Sequence, residues 1–337
     1  MTLAPVRVAA VGCGYWGPNV IRNLDAVPGF ELCCICDANA DHLRPVAARY
    51  PSARSTTRVE DLLEDPAIQA VYLATPVSSH YSLVKRALES EKHVLIEKPL
   101  ATTVDQAEEL LELADANGLT LMVGHTFVFS PPVRKVKELI DAGLVGPIYY
   151  VETTRVNLGL FQKDVSVLWD LGPHDVSILI YWLGEVPIQV SARGRSYLGE
   201  ALEDVAFLTL EFPSGILAQV QLSWLAPSKL RRTSIVGRQR MIVYDDLEPV
   251  EKVKIFDRGV DRQPASFGEF QLTYRSGDVL SPRLDTTEPL YIECAHFLEC
   301  IRTGRTPDTS PRSGVDVVRV IQAAERSLRL GGAPRAV

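Results

Sequence analysis

The chain has 337 residues, enough for two domains of ordinary size, and its 46% hydrophobic and 23% charged residues are the balance of a soluble globular protein. Against 42 Asp and Glu there are 35 Lys and Arg, a formal charge of −7, so no broad cationic field is available for nucleic acid or an anionic membrane. No apolar stretch approaches the roughly 20 residues that span a bilayer.

Val6, Val8, Ala9, Ala10 and Val11 form a short apolar run that reads as a strand. It meets Gly12-Cys13-Gly14-Tyr15-Trp16-Gly17, a G-x-G-x-x-G, and then a helical stretch through Val20, Ile21 and Leu24. A second apolar run from Phe30 to Cys36 ends at Asp37, 20 residues after Gly17. In a dinucleotide-binding unit the first glycine makes the tight turn and the second lets the backbone approach the pyrophosphate. The third lets helix and strand pack closely, and the acid accepts from the ribose hydroxyls. The helix N-terminus adds free N–H groups and a positive dipole end. Gly12, Gly14, Tyr15, Trp16, Gly17 and Asp37 are therefore expected at a cofactor. Asp37 would repel a 2′-phosphate and no arginine follows it directly, so NAD is expected over NADP.

Strand and helix go on alternating to residue 123: strands at 70–74, 93–96 and 119–123, helices at 79–89 and 103–116. This pattern predicts a doubly wound parallel sheet, a Rossmann domain over residues 1–123. Ligands of such sheets bind outside the carboxyl ends of the strands. Thr75, Pro76 and His80 follow one strand end, and Glu97-Lys98-Pro99 follows the next, so all are expected at the cofactor. Lys98 lies between a buried strand and a stiffening proline, which favours a fixed, aimed ammonium over a solvated one.

After Gly124 the texture changes. A helix is expected over 132–141, then β-rich runs at 148–156, 186–197, 206–212, 216–224, 233–236 and 241–244, with a hairpin turn at Pro213-Ser214-Gly215. Two amphipathic helices, 290–301 and 315–328, close the chain; 259–288 lacks clear periodicity and reads as a long loop or an arm. Residues 124–337 thus predict an α+β domain with a large, mainly antiparallel open sheet. Trp169-Asp170-Leu171-Gly172-Pro173-His174-Asp175 opens a helix, with Pro173 suited to its first turn and Asp170 near its N-cap. Folding over that turn would join Asp170 to His174, the kind of base near neutrality that carbinol oxidation needs. His125, Arg155, Asn157 and Lys163 are candidate contacts for a polyhydroxylated substrate. The basic run Lys229, Arg231, Arg232, Arg238 and Arg240 reads first as a charged strand edge, the alternative being that one or two of these residues reach the diphosphate of a nucleotide-linked sugar. Trp182, Trp224, Tyr149 and Tyr150 read as core or subunit interface. The six cysteines show no zinc-like pairing, and no metal site is expected. Met1-Thr2-Leu3-Ala4-Pro5 does not open a secretory signal, so a cytoplasmic location with reduced thiols is expected.

The order GCGYWG, CDAN, ATPVSSH, EKPL and WDLGPHD resembles the Gfo/Idh/MocA oxidoreductases, named after glucose–fructose oxidoreductase and inositol dehydrogenase. The resemblance implies an N-terminal Rossmann domain and a C-terminal domain whose open sheet forms a homodimer or homotetramer interface. It also implies that Lys98, Asp170 and His174 match the family's catalytic lysine, aspartate and histidine. Gly124-His125-Thr126-Phe127 departs from the arginine-containing version of some members, so contacts made by that arginine do not transfer. GYWGPN, GHTFVFSP and TRVNLG resemble a subgroup linked to nucleotide sugars. The expected activity is hydride transfer between NAD and a secondary alcohol or ketone of a sugar, nucleotide-linked or glycosidic, for example at C3. Either His174 or a desolvated Lys98 serves as base. The alternatives are a ketosugar reductase in the reverse direction, an oxidation–elimination glycosidase that keeps its NAD, and a nicotinamide-binding sensor or scaffold.

Overall fold

The computed structural model describes residues 4–159, 161, 165–199, 202–263 and 271–337. These fall into two compact units, one of 4–129 with 287–319 and one of 130–286 with 320–337.

In the first unit the alternation is realised as β1 (Val6–Val11), α1 (Gly17–Ala26), β2 (Phe30–Cys36), α2 (Ala40–Ala47), β3 (Arg54–Thr56), α3 (Glu60–Leu63), β4 (Ala70–Leu73), α4 (His80–Glu89), β5 (His93–Glu97), α5 (Val104–Ala116) and β6 (Leu121–Gly124). The strands form a six-stranded sheet in the order β3-β2-β1-β4-β5-β6, every pair parallel. The order reverses between β1 and β4, which opens a crevice at their carboxyl ends and sets the glycine turn beside Thr75. Because both faces of the sheet are covered, its strands are continuous apolar runs rather than alternating ones. Val8, Ala9, Ala10, Val71, Val94 and Ile96 are all inaccessible.

The second unit holds α6 (Pro131–Asp141), β7 (Ile148–Leu158), α7 (Val167–Leu183), β8 (Gln189–Arg195), β9 (Val205–Glu211), β10 (Leu217–Ser223), β11 (Leu225–Gly237), β12 (Met241–Asp245), β13 (Val253–Gln263) and β14 (Gln271–Leu280). The chain ends with α8 (Pro289–Thr303), α9 (Pro311–Arg329) and the short β15 (Arg335–Ala336). The nine-stranded sheet runs β14-β13-β12-β11-β7-β10-β9-β8-β15 and is antiparallel except where β10 lies parallel to β7. Ala206, Leu208 and Leu210 of β9 and Ala218, Val220 and Leu222 of β10 are buried on one face, while Phe207, Thr209, Leu217 and Gln219 face outward. That alternation is the mark of a sheet with one covered face.

Three expectations need correction. A single cut after residue 123 misplaces α8, whose Leu290, Cys294, Phe297 and Leu298 join Val20, Ile21 and Leu24 of α1 in the first unit's core. Each such fully buried side chain stabilises by about 1.5–3 kcal/mol, enough to draw a helix back across the sequence. The expected loop or arm over 259–288 begins instead as an antiparallel strand pair, β13 with β14, from Ile255–Leu280 to Gln263–Gln271. Among the described side chains beyond Ile255, Arg258, Val260 and Tyr274 are exposed, and a stretch without a buried stripe offers no period to read. Finally, α7 starts at Val167 with Ser166 as its cap, so Pro173 lies inside the helix and Asp170 falls in its first turn rather than at the cap.

Candidate active site

In the first unit, the turn between β1 and α1 is built by close backbone approach. Gly12 has a φ of +101°, and a Cβ there would lie 2.3 Å from the Ala74 carbonyl oxygen at the end of β4. A Cβ on Gly17 would lie 1.9 Å from the Gly12 oxygen, so the first turn of α1 seats directly on the loop. Gly14 differs, since nothing lies within 4 Å of its Cβ position. The protein does not itself require a glycine there; an approaching phosphate would. No side chain caps α1, which leaves its leading amides for an anion. Asp37 accepts from the Cys13 amide at 2.6 Å and the Asn39 amide at 2.7 Å, which fixes the carboxylate with acceptor capacity left for ribose hydroxyls. This cradle fits a dinucleotide. Tyr15 and Trp16 are exposed on the loop.

The next strand ends bring a second group together. Lys98, half-buried, follows β5, and His125 follows β6; Glu97 and Gly124 are register partners, so the two are neighbours across adjacent strands. Lys98's charge bears on Glu97, His80 and His125. Burial raises the Glu97 pKa against that charge and against hydrogen bonds from Tyr72, whose hydroxyl is 3.0 Å away, and Trp16. Glu293 of α8 is 1% exposed, accepts from Thr126 Oγ1 at 2.9 Å, and is held well above the carboxylate range by burial and by Glu97. His125 is 1% exposed, and burial with Lys98 pushes its pKa down to about 3. It is therefore a neutral, enclosed ring at working pH, with no surface in this conformation to meet a substrate. His80 is likewise buried, and both its ring nitrogens are engaged by main-chain carbonyls, Pro99 at 2.7 Å and Thr75 at 2.9 Å. Thr75 Oγ1 accepts from Ser79, and Pro76 is exposed.

In the second unit the chemistry gathers on α7. Asp170 and His174, both half-buried, are four residues apart and share one helix face. Gly172 between them lets the helix press close: a Cβ there would lie 2.8 Å from Ile321 of α9 and 3.4 Å from Leu222 of β10. Trp224 Nε1 donates to Asp170 Oδ2 at 3.2 Å, and Ser177 Oγ donates to the His174 carbonyl at 2.9 Å. Asn157 reaches the same neighbourhood, since a Cβ on Gly159 would meet both its side chain and Trp224. Arg155 is drawn inward instead. Its Nε donates to Asp175 Oδ2 at 2.6 Å, Thr153 donates to Oδ1 at 3.0 Å, and Thr233 donates to Thr153. Arg155 and Asp175 are about 95% buried, a buried ion pair that fastens β7 to the turn carrying His174. Arg231 of the basic run is paired with Asp246. Lys163 lies outside the described residues. Among the described residues no group of three or more His, Cys, Asp or Glu is placed to hold a metal, and no helix is long and apolar enough to cross a membrane.

Sequence reasoning passed over Tyr72 and Glu293, and read Trp224 only as core or subunit interface. Glu293 left a trace, a carboxylate among Leu290, Cys294 and Phe297 on an otherwise apolar helix face. Trp224 left another, because a buried indole N–H needs an acceptor.

Two models of one family match the chain. The first, described as an oxidoreductase family with NAD-binding Rossmann fold, covers residues 6–125. The second, the GFO/IDH/MocA C-terminal domain, covers residues 133–243. The chain belongs to the Gfo/Idh/MocA oxidoreductase family. Like that family's first domain, its first unit takes NAD as cofactor. Scyllo-inositol 2-dehydrogenase (NAD(+)) of Bacillus subtilis is 29% identical over 341 residues, 97% of this chain and 95% of its own length. The solved UDP-N-acetylglucosamine 3-dehydrogenase of Acidithiobacillus ferrooxidans is 25% identical with a TM-score of 0.81, covering 97% of this chain and 99% of that one. GenD2 from gentamicin A biosynthesis, solved with NAD, shares the fold at 23% identity, with a TM-score of 0.84 over 100% of this chain and 97% of its own.

Proposed function

We propose that this Gfo/Idh/MocA oxidoreductase transfers hydride between NAD and a secondary alcohol or ketone of a sugar, with a nucleotide-linked or glycosidic sugar oxidised at C3 as the finer reading. The observation that carries it is the Asp170–His174 pair on α7, with the Asp170 carboxylate held by Trp224. Asp170 fixes the imidazole tautomer and stabilises its charged form, and His174 takes the hydroxyl proton. A positioned base of this kind contributes about 10²–10⁴-fold. Lys98, at the end of β5 in the first unit, supplies an ammonium of the kind that stabilises developing alkoxide charge. NAD, when bound, supplies the hydride acceptor. Asn157 is the substrate contact retained from the sequence reading, while Arg155 acts through Asp175. Relatives named for inositol and for UDP-N-acetylglucosamine support a polyol or sugar alcohol as the substrate class.

Asp37, held by two amides with its charge at the adenosine end of the cradle, favours NAD over NADP. Better catalytic efficiency with NADP contradicts that preference. Tyr150, Phe207 and Leu217 are about half exposed on the open sheet face. They support assembly into a homodimer or homotetramer, which light scattering of the purified protein checks.

The test is a panel of nucleotide sugars, free sugars and inositols with NAD, read by NADH absorbance. The reading predicts turnover with a sugar or polyol, abolished in Lys98→Met while NAD still binds. NAD binding without turnover of any alcohol, in either direction, contradicts it.

A further inference from the structure

The hydrogen-bond arithmetic at His80 does not balance for a neutral ring. A neutral imidazole has one N–H donor and one lone pair. Here Nδ1 lies 2.7 Å from the Pro99 oxygen and Nε2 lies 2.9 Å from the Thr75 oxygen, and both partners are carbonyls that only accept. Satisfying both takes two N–H groups, an imidazolium. The ring is 1% exposed, so water cannot replace the missing donor. The two carbonyls are not equivalent places in the fold. Thr75 begins the loop after β4 and Pro99 the loop after β5, adjacent parallel strands whose carboxyl ends flank the cofactor crevice. His80, the first residue of α4, thus bridges them.

We propose that His80 is a positioning residue for NAD: its doubly protonated ring ties the two cofactor-facing loops together, so that binding NAD takes up a proton at this site. The proton comes from solvent and adds to whichever ring nitrogen lacks one; no other bond changes. Burial and the nearby charge of Lys98 push the His80 pKa below its ordinary 6.5, whereas the two carbonyls push it up. Lys98 is the charged group acting on the ring, and its carbonyl partners Thr75 and Pro99 carry no titratable side chain. A ring carrying a single proton can satisfy only one of these two carbonyls, so the tie between the loops is complete only when both nitrogens are protonated. NAD brings negative phosphates to the same edge of the sheet and favours the tied arrangement. By linkage, NAD raises the His80 pKa and acid tightens NAD by the same factor. This rests on cofactor binding alone and not on the substrate proposed above.

The test is calorimetry of NAD binding to the full-length protein in buffers of different ionisation enthalpy, with ¹⁵N-histidine NMR of the free and NAD-bound forms. Wild type is expected to take up a fraction of a proton per NAD on the acid side of neutrality. Its NAD affinity should rise about tenfold from about pH 8 to about pH 5, the worth of one charge-assisted hydrogen bond. In the complex at about pH 6 both His80 nitrogens should carry protons. His80→Asn, which keeps one donor, should bind NAD with a pH-independent Kd and no uptake; His80→Gln is the second variant should the first not fold. Zero uptake by wild type, a neutral His80 in the complex, or uptake that persists in His80→Asn each overturns the proposal. Because no substrate is used, failure of the sugar reading leaves these results unaffected.

Discussion

In the first unit the candidate groups sit on loops whose paths the main chain dictates. Gly12 and Gly17 have no room for a side chain, and Asp37 is held by two backbone amides. In the second unit the groups hang from one helix and are aimed by other side chains, Trp224 on Asp170 and Arg155 on Asp175. A backbone-built cradle tolerates little change in sequence and suits a cofactor shared across a family. A helix face aimed by side chains can be retuned by substitution, which suits the half of an enzyme that distinguishes substrates.

This contrast can be broken at several strengths. The largest effect is expected from Lys98→Met, which removes the ammonium while keeping the side chain's length. Hydride transfer should fall by about a thousandfold or more, with NAD affinity within a few-fold of wild type by calorimetry. An unchanged rate would separate the EKP segment from chemistry. Next is Arg155→Met, which strands the Asp175 charge and should destabilise the protein by about 3–5 kcal/mol in denaturant unfolding. The double variant with Asp175→Leu should recover much of that loss. If the single variant is as stable as wild type, the pair does not fasten α7. Trp224→Phe keeps a ring but deletes the N–H to Asp170. It should lower kcat/KM by about three- to tenfold and move the pKa of the base in the pH profile, with NAD affinity unchanged.

The smallest expected effect concerns Glu293 and sharpens the picture of a main-chain-built unit that nonetheless buries carboxyls. Its folded pKa is raised well above the ordinary 4.5, so between those values the folded protein holds a proton that the unfolded chain has released. Stability from this group is full below pH 4.5 and declines as pH rises through the window. Glu293→Gln cannot ionise, so it should raise Tm by a few degrees at about pH 8 and leave it unchanged at about pH 4. His125 works with the opposite sign. Its folded pKa of about 3 lies below the ordinary 6.5, so its contribution is present above pH 6.5 and lost as pH falls.

The first unit was legible because its rules are periodic and local. Apolar runs alternating with helical stretches specify parallel crossovers, and the glycine spacing with Asp37 specifies the cradle. Asp170 and His174 were legible as a helical pair, although Pro173 pulled the expected helix start too far along the chain. What escaped was long-range pairing. Nothing near Glu293 in the sequence points to Thr126, nothing near Trp224 points to Asp170, and Arg155 looked available until Asp175 was found against it. The β13–β14 ribbon escaped because the side chains described beyond Ile255, among them Arg258, Val260 and Tyr274, are exposed and create no apolar period. His80 was placed correctly at the strand ends, but two carbonyls from different loops on one ring could be seen only in three dimensions.

The central claim is that an imidazole on α7 removes the carbinol proton while the glycine cradle independently holds NAD. Single-turnover hydride transfer by His174→Ala, with NAD affinity determined on the same preparation, tests it most directly. The account predicts at least a hundredfold slower transfer with the NAD Kd within about twofold of wild type. Transfer at the wild-type rate, or loss of NAD binding in step with the rate, would contradict it.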